Sequence, residues 1–546
     1  MRRGFSLIAM TAVLAQVPAS VAPLHAAPPQ ERRSNGEGLC RKPDALPVLG
    51  AEQVRQQQNQ REERRSVGAV PPPPPMAPDV RGSSAAMAEA DGGSEDVIVT
   101  ASRIPSPSMD SPVAVTTISS EELTTSSTDK ATSAEAGEAA AVAPPPPPPP
   151  PVVVATGSAE ARVMPGYPIP PRPYPPRPPR PQSGLLTAGE HDDLLNPELY
   201  ADYVRKSDLA QQVPDLPRLD TARVLTVTVK DRAGRPVPFA TVELACADGS
   251  RLMLKTMADG SVAFFPNMDR LGKKVWVRAA SADWREVGIA NGQGGQRIDF
   301  TISQQAQAVR KLDLVLAIDT TGSMGDEIRY LQSELQTIVG AIRQRHPGLD
   351  LRVGFVFYRD LGDDYVTSTF PLSADVAAGQ RELSRHSANG GGDYPEAMDQ
   401  ALIRAAGQAW RPDAVKTMLL VADAPPHDEN FGLTWRAAEH LRAKRVHIVP
   451  VAASGVADKA EYAMRAMAAA TQSRYTFLTD DSGVGNPHAA PAIDCYLVTR
   501  LETLLRRVID SQLSGRRIEP GEQEVIRSVG QSDNGRCVIP PAMRFQ

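Results

Sequence analysis

Beyond Arg310 the chain alternates short apolar runs with stretches in which apolar residues return every three or four positions. LDLVLAID, LRVGFVFYRD, KTMLLVAD, RVHIVPVAA and RYTFLTD read as buried strands. Between the first two, GDEIRYLQSELQTIVGAIRQ places Ile328, Leu331, Leu335, Ile338 and Ile342 on one helical face. PEAMDQALIRAAGQAW, WRAAEHLRAK and KAEYAMRAMAAATQ read as further helices. Apolar strands separated by helices predict a Rossmann-like α/β domain with a mostly parallel central sheet over residues 311–512. A different period holds over residues 223–304. There VLTVTVKDRAGRPVPFATVELACADG, LMLKTMADGSVAFFPN, KKVWVRAAS and QRIDFTIS alternate apolar and polar positions between Gly, Pro and Asp turns. Short strands of that kind predict a small β-sandwich. Residues 186–222 read as a short helical lead-in, and residues 513–546 as a C-terminal tail.

Residues 27–185 show neither period. They hold QQQNQREERR, five prolines at 71–75, eight at 144–151, and PGYPIPPRPYPPRPPRP. Such composition buries too little apolar surface to offset chain entropy, so a long disordered proline-rich region is expected. The eight-proline run favours an extended form about 25 Å long, which suits a spacer. At the N-terminus two arginines precede an apolar stretch, Phe5 to about Ala15, and small residues follow. That layout over residues 1–26 predicts a secretory signal peptide, with cleavage after Ala19, Ala22 or Ala26 left open. The apolar core falls short of the roughly 20 residues a membrane span needs. A net charge of −5 is mild for this length and argues against nucleic acid as the main partner. Four cysteines without CxxC spacing fit an oxidising compartment better than zinc. Cys495 and Cys537 flank the last predicted helix and are the expected disulfide pair, although three connectivities stay open.

Two stretches carry resemblances of their own. DVIVTASRIPSPSMDSPVAVTTISSEEL, residues 96–123, resembles the TonB box and plug start of TonB-dependent outer-membrane receptors. Val97, Ile98, Val99 and Thr100 form a short β-prone tract able to add an edge strand to a partner sheet. The resemblance implies a TonB-like energy-coupling partner and a Gram-negative cell, although no series of barrel strands follows. VKDRAGRPVPFATVEL and TMADGSVAFF resemble the carboxypeptidase regulatory-like, transthyretin-type module, which implies a spacer without catalytic residues.

Candidate chemistry concentrates in LDLVLAIDTTGSMG. Ligands of open α/β sheets bind outside the carboxyl ends of strands, and Asp319 stands at such an end. Asp319, Thr321 and Ser323 alternate along the loop, so their side chains can converge. One carboxylate and two hydroxyls are hard donors of the kind Mg²⁺ takes together with water. The alternative is an Asx turn with capping hydroxyls. D-x-T-x-S resembles the D-x-S-x-S start of the metal-ion-dependent adhesion site, or MIDAS, of von Willebrand factor A domains. That resemblance implies a second ligand, Asp423 of LLVADAPPH, and a third from NGGGDYPEAMDQAL, where the family places a threonine. Here Asp393 follows the three glycines and is the expected ligand, with Glu396 at the metal rim. A carboxylate in place of threonine would strengthen metal binding and weaken the pull on an acidic partner. The resemblance implies Mg²⁺ or Mn²⁺ with one free corner, open to an Asp or Glu carboxylate of a protein partner. It also implies a shift of the C-terminal helix, about Thr499–Gln512, on binding.

Enzyme chemistry finds less support. An aspartyl-phosphate enzyme needs a second carboxylate where Thr321 stands, and neither a P-loop nor a GxSxG turn is present. His427, Asp428 and Glu429 read as a solvated loop, and Arg359, Asp360, Asp363 and Asp364 as a polar loop near the metal rim. The expectation is therefore a non-enzymatic, exported, divalent-cation-dependent protein-binding module, used for adhesion or as a scaffold, in the periplasm or at the cell surface. A periplasmic adaptor in TonB-linked outer-membrane transport and a metal-dependent hydrolase are the alternatives.

Overall fold

The computed structural model describes residues 40–49, 183–213, 215–290 and 294–538. The expected signal peptide and the tract Val97, Ile98, Val99 and Thr100 lie outside them. In chain order the elements begin with strand β1 (Thr187–His191) and helices α1 (Pro197–Lys206) and α2 (Leu209–Gln212). Seven short strands follow: β2 (Leu225–Asp231), β3 (Thr241–Ala245), β4 (Arg251–Lys255), β5 (Ser261–Phe264), β6 (Lys274–Ala279), β7 (Arg285–Gly288) and β8 (Gln296–Ile302). The α/β part contains β9 (Lys311–Asp319), α3 (Ile328–Arg345), β10 (Asp350–Tyr358), β11 (Thr367–Ser373), α4 (Val376–Arg385) and α5 (Met398–Ala406). It continues through β12 (Val415–Ala422), α6 (Phe431–Ala443), β13 (Val446–Ala452), α7 (Asp458–Ala470), β14 (Tyr475–Thr479), β15 (Tyr496–Arg500), α8 (Leu501–Ser514) and β16 (Arg527–Val529).

Period-two alternation decides which face of β9 meets which helices. Leu312, Leu314, Leu316 and Ile318 join a core with Leu331, Leu335 and Ile338 of α3 and Leu504 and Val508 of α8. Val315 and Ala317 point the other way, into a core with Met398 and Leu402 of α5, Phe431 and Leu441 of α6, and Met464 of α7. Burial on both faces explains why β9 reads as an unbroken apolar run.

The sheet is mixed, not mostly parallel. Its order is β11-β10-β9-β12-β13-β14-β1-β15-β16. Only β10, β9, β12, β13 and β14 run parallel to one another. A parallel crossover needs a dozen or more residues, so the short 359–366 connection returns β11 antiparallel. β1, expected within a helical lead-in, instead lies antiparallel between β14 and β15. TAGEH lacks an apolar pattern, yet all five residues are buried. Burial of Glu190 is offset by Arg474 at 2.7 Å and Arg507 at 2.5 Å, whose charges hold its carboxyl at about 2 against the desolvation that raises it. The expected C-terminal tail is partly docked too: β16 pairs with β15, and Cys537 is joined to Cys495.

A further departure concerns residues 40–49, expected to be disordered. Cys40 is joined to Cys246, Arg41 N–H donates to Asp269 O at 3.0 Å, and Leu46 and Leu49 pack on the α/β core. Composition cannot reveal an anchor that lies 206 residues away. Strands β2–β8 form a three-stranded sheet, β5-β2-β8, and a four-stranded sheet, β4-β3-β6-β7, around one core that includes Val227, Leu244, Phe264, Val277 and Phe300. This unit is tied to the α/β part. Arg442 of α6 reaches Asp269 at 2.8 Å, and Ala263 N–H donates to Gln472 Oε1 at 3.0 Å.

Helix α8 is held along its length. Asp510 pairs with Arg345 at 2.9 Å and His346 at 2.7 Å, Thr417 donates to Gln512 at 2.5 Å, and Arg507 reaches Glu190. A shift of this helix has to stretch or break these contacts.

Candidate metal centre

β9 and β12 are neighbours in parallel register, Ile318 beside Val421, so both deliver their next acidic residue to the same sheet end. These residues are Asp319 and Asp423, both buried. Asp319 Oδ1 accepts the Thr321 N–H at 2.9 Å and the Thr321 hydroxyl at 2.6 Å. The Thr321 and Ser323 hydroxyls stand 3.1 Å apart. The D-x-T-x-S side chains thus converge, as expected from their alternation. Asp319 Oδ2 is buried and has no hydrogen-bond partner of full geometry, although the buried Tyr358 hydroxyl stands close enough to act on this carboxylate. Burial first, and then the charge of Asp423, pushes the Asp319 carboxyl up to about 8.

The glycine loop wraps this turn. Gly322 N–H donates to Gly390 O at 3.0 Å, Asn389 N–H to Thr320 O at 3.0 Å, and Gly391 N–H to Asp363 Oδ2 at 2.8 Å. Gly391 has φ +73°, and a Cβ there would lie 3.1 Å from Glu396 Oε1 and 3.4 Å from Thr321 Cβ. Glycine is required on both counts.

This loop places the two acidic candidates for the third ligand differently. Asp393 is exposed, whereas Glu396 is 3 % exposed and its carboxylate lies beside the motif. The expectation put Glu396 at the start of a helix. Helix α5 begins only at Met398, which leaves Glu396 in a short parallel bridge to Pro426, its N–H donating to Pro425 O at 3.0 Å. Glu396 Oε2 is buried without a hydrogen-bond partner. Burial, then the charges of Asp319, Asp360, Asp423 and Asp363, pushes its carboxyl up to about 10.

Among the described residues no three His, Cys, Asp or Glu side chains form a group that could hold a metal ion. An ion at this tip therefore needs the Thr321 and Ser323 hydroxyls and water besides Asp319 and Asp423. That donor set suits Mg²⁺, and the buried orphan oxygen of Asp319 is the feature a cation would satisfy.

The sequence reading missed the scaffold of the site. His427 is not a solvated residue. Its Nε2 lies 2.8 Å from Asp360, itself buried, and this ties the loop after β12 to the loop after β10. Arg359 donates to Thr320 O at 3.1 Å and to Ser387 O at 3.0 Å, and stacks over Tyr365. Tyr394 donates to Gly455 O at 2.9 Å and accepts from Ala457 N–H at 2.8 Å. These partners lie on separate loops, so no local motif signals them.

Behind the motif, Glu327 follows the short helical turn Gly322–Asp326 and accepts the Ser454 N–H at 3.3 Å. His488 lies 2.7 Å from Glu327 and 2.8 Å from Asp480. Hydrogen bonds and charge from these two acids raise its pKa despite burial, which acts to lower it. A raised histidine pKa stabilises the fold fully below the unfolded value of about 6.5, and the gain is lost as pH rises through the folded value. Thermal stability is expected to fall between pH 6.5 and the folded pKa, by at most about 1.4 kcal/mol per pH unit from this group. His488→Asn should flatten that slope, as read by melting across the pH range.

A parallel core with helices on both faces and a D-x-T-x-S turn at a strand tip defines the A-type class of α/β domain. Residues 313–486 match the family model described as von Willebrand factor A domain, and this part of the chain is such a domain. Two curated relatives match a similar length. The alpha-protein kinase vwkA of Dictyostelium discoideum is 31 % identical over 123 residues, which are 22 % of this chain and 19 % of the relative. A putative ariadne-like RING finger protein of Acanthamoeba polyphaga mimivirus is 31 % identical over 122 residues, 22 % of this chain and 12 % of the relative. The chain thus spans less than a fifth of the length of either. Among solved structures, the pilus adhesin SpaC from Lactobacillus rhamnosus GG in its open conformation aligns with 14 % identity and TM-score 0.29, over 38 % of this chain and 30 % of that one. BatB, a conserved hypothetical protein from Bacteroides thetaiotaomicron, aligns with 11 % identity and TM-score 0.25, over 37 % of this chain and 98 % of that one.

Proposed function

We propose that this chain is an exported protein-binding module of the adhesion or scaffold kind, working through a MIDAS-like divalent-cation site at the tip of its A-domain sheet. The observation that carries this reading is the convergence of Asp319, Thr321 and Ser323 beside Asp423, with Asp319 Oδ2 buried and without a hydrogen bond of full geometry. Mg²⁺ or Mn²⁺ would be held by these four side chains and water. A bound ion supplies Lewis acidity to one outside oxygen, such as an Asp or Glu carboxylate of a partner protein. The chain's own part is to hold the donors still. The glycine loop, Arg359 and the Asp360–His427 pair do so from three directions. A von Willebrand factor A domain commonly serves adhesion and protein interaction, which favours binding over turnover. Two disulfides support an oxidising location, periplasm or cell surface, and no helix among the described residues is long and apolar enough to cross a membrane. Strands β2–β8 serve in this reading as a β-sandwich support of the carboxypeptidase regulatory-like type.

The test is calorimetric titration of Mg²⁺ and Mn²⁺ into the full chain, wild type beside Asp319→Ala. One site in the wild type and an affinity at least about tenfold lower in the variant are expected. Equal binding by both proteins removes the site.

A further inference from the structure

Glu396 is a feature of the tip that the proposed metal ligands do not absorb. It is 3 % exposed, and a Cβ on Gly391 would lie 3.1 Å from its Oε1 and 3.4 Å from Thr321 Cβ, so only that glycine separates it from the D-x-T-x-S turn. Its Oε2 has no hydrogen-bond partner. Burial weighs most against its charged form, and the largest charges that act on it are those of Asp319, Asp360, Asp423 and Asp363, all acidic. A carboxylate is costly to bury without a cation or a full set of donors. The backbone nevertheless holds it there, through the Pro425 hydrogen bond and the bridge to Pro426 on the loop that carries Asp423. Gly390 and Gly391, both at positive φ, bring the chain close enough to Thr321 for this placement.

We propose that Glu396 is a built-in carboxylate competitor: it occupies the side of the site where an acidic partner residue would meet the ion. This rests on the metal reading above. Glu396 acts by charge and by volume beside the cation, and it needs no direct bond to the ion. Ionised beside a bound cation, Glu396 would add a third negative group that tightens the hold on the ion and repels a fourth that approaches from outside. Affinity for an acidic partner is therefore set by how readily Glu396 gives way, and the tip discriminates against free carboxylates.

The test uses the full chain with Glu396→Gln, which keeps the shape, Glu396→Thr, which is smaller and uncharged, and Asp393→Asn as the exposed comparison. Mn²⁺ affinity is measured by calorimetry. Acetate binding to the Mn²⁺-loaded protein is followed by the electron-spin resonance of Mn²⁺. Both Glu396 variants are expected to bind Mn²⁺ about tenfold more weakly and acetate about tenfold more tightly than wild type. Asp393→Asn should change neither by more than about twofold. In chelator, Glu396→Gln should melt no lower than wild type, since the amide keeps the shape and replaces a carboxyl whose charged form burial and acidic neighbours already disfavour. A wild type that takes up no Mn²⁺ overturns the metal reading and this inference together. A wild type that binds one Mn²⁺, with variants unchanged in both affinities, overturns this inference alone. A Glu396→Gln variant that melts well below wild type, or fails to fold, also overturns it, because the carboxylate would then be structural.

Discussion

Asp319→Asn is expected to make the metal-free chain more stable and to erase its response to divalent cations. The carboxylate it replaces is buried, one of its oxygens lacks a partner, and Asp423 repels it from the neighbouring strand. Asparagine keeps an oxygen to accept from Thr321 N–H and the Thr321 hydroxyl, so the turn can persist. A carboxyl held at about 8 must take up a proton on folding at neutral pH, and an amide avoids that cost and the poorly partnered oxygen, a gain of about 1–3 kcal/mol. Melting in chelator and then in millimolar Mg²⁺ reads both effects. The wild type should melt lower than the variant in chelator and gain several degrees with Mg²⁺, whereas the variant should gain nothing. A variant that melts below wild type in chelator would mean that the negative charge stabilises the metal-free fold, contrary to its surroundings.

The second large effect is expected at β1. A chain beginning at residue 306 keeps the whole A-type pattern visible in the sequence, yet it should not fold cooperatively. Without β1, β14 and β15 lose the strand that lies between them. Arg474 and Arg507, both about 5 % exposed, lose Glu190. Leaving a buried charge without its partner costs about 3–5 kcal/mol, a large share of the 5–15 kcal/mol that holds a typical domain together. In the intact chain, Gly189→Val probes the same packing. Its Cβ would fall 2.4 Å from the Phe477 ring, which is itself packed edge-on against Tyr496. Overpacking of this degree is expected to cost about 3 kcal/mol. Loss of near-ultraviolet circular dichroism in the shortened chain, and a lower urea midpoint for Gly189→Val, are the measurements. A shortened chain that unfolds in one sharp transition would refute the assignment of β1 to the domain core.

How much of this was readable in advance depended on whether the signal was local. β9 announces itself because eight consecutive residues, Leu312 to Asp319, are buried, and α3 because its apolar residues recur at the helical period. The D-x-T-x-S cluster was equally legible, since three donors two residues apart on one loop can meet without help from elsewhere. The different placement of Asp393 and Glu396 was not. It turns on where α5 begins, and that start is fixed by the Pro425 and Pro426 contacts of another loop. β1 was hidden for a related reason. TAGEH has no apolar period of its own, and its burial is made tolerable by arginines roughly 280 to 320 residues further along.

Periodicity and close-range donor spacing, then, were enough to establish an α/β domain with an oxygen-rich strand tip and an alternating-strand region before it. The mixed sheet, the strand recruited from ahead of the β2–β8 unit, the Cys40 anchor and the glutamate at the tip were decided by tertiary structure alone. Hydrophobic period is a property of neighbouring residues and is written along the chain. Compensation of a buried charge and choice of sheet partner depend on groups hundreds of residues apart, and only folding brings those together.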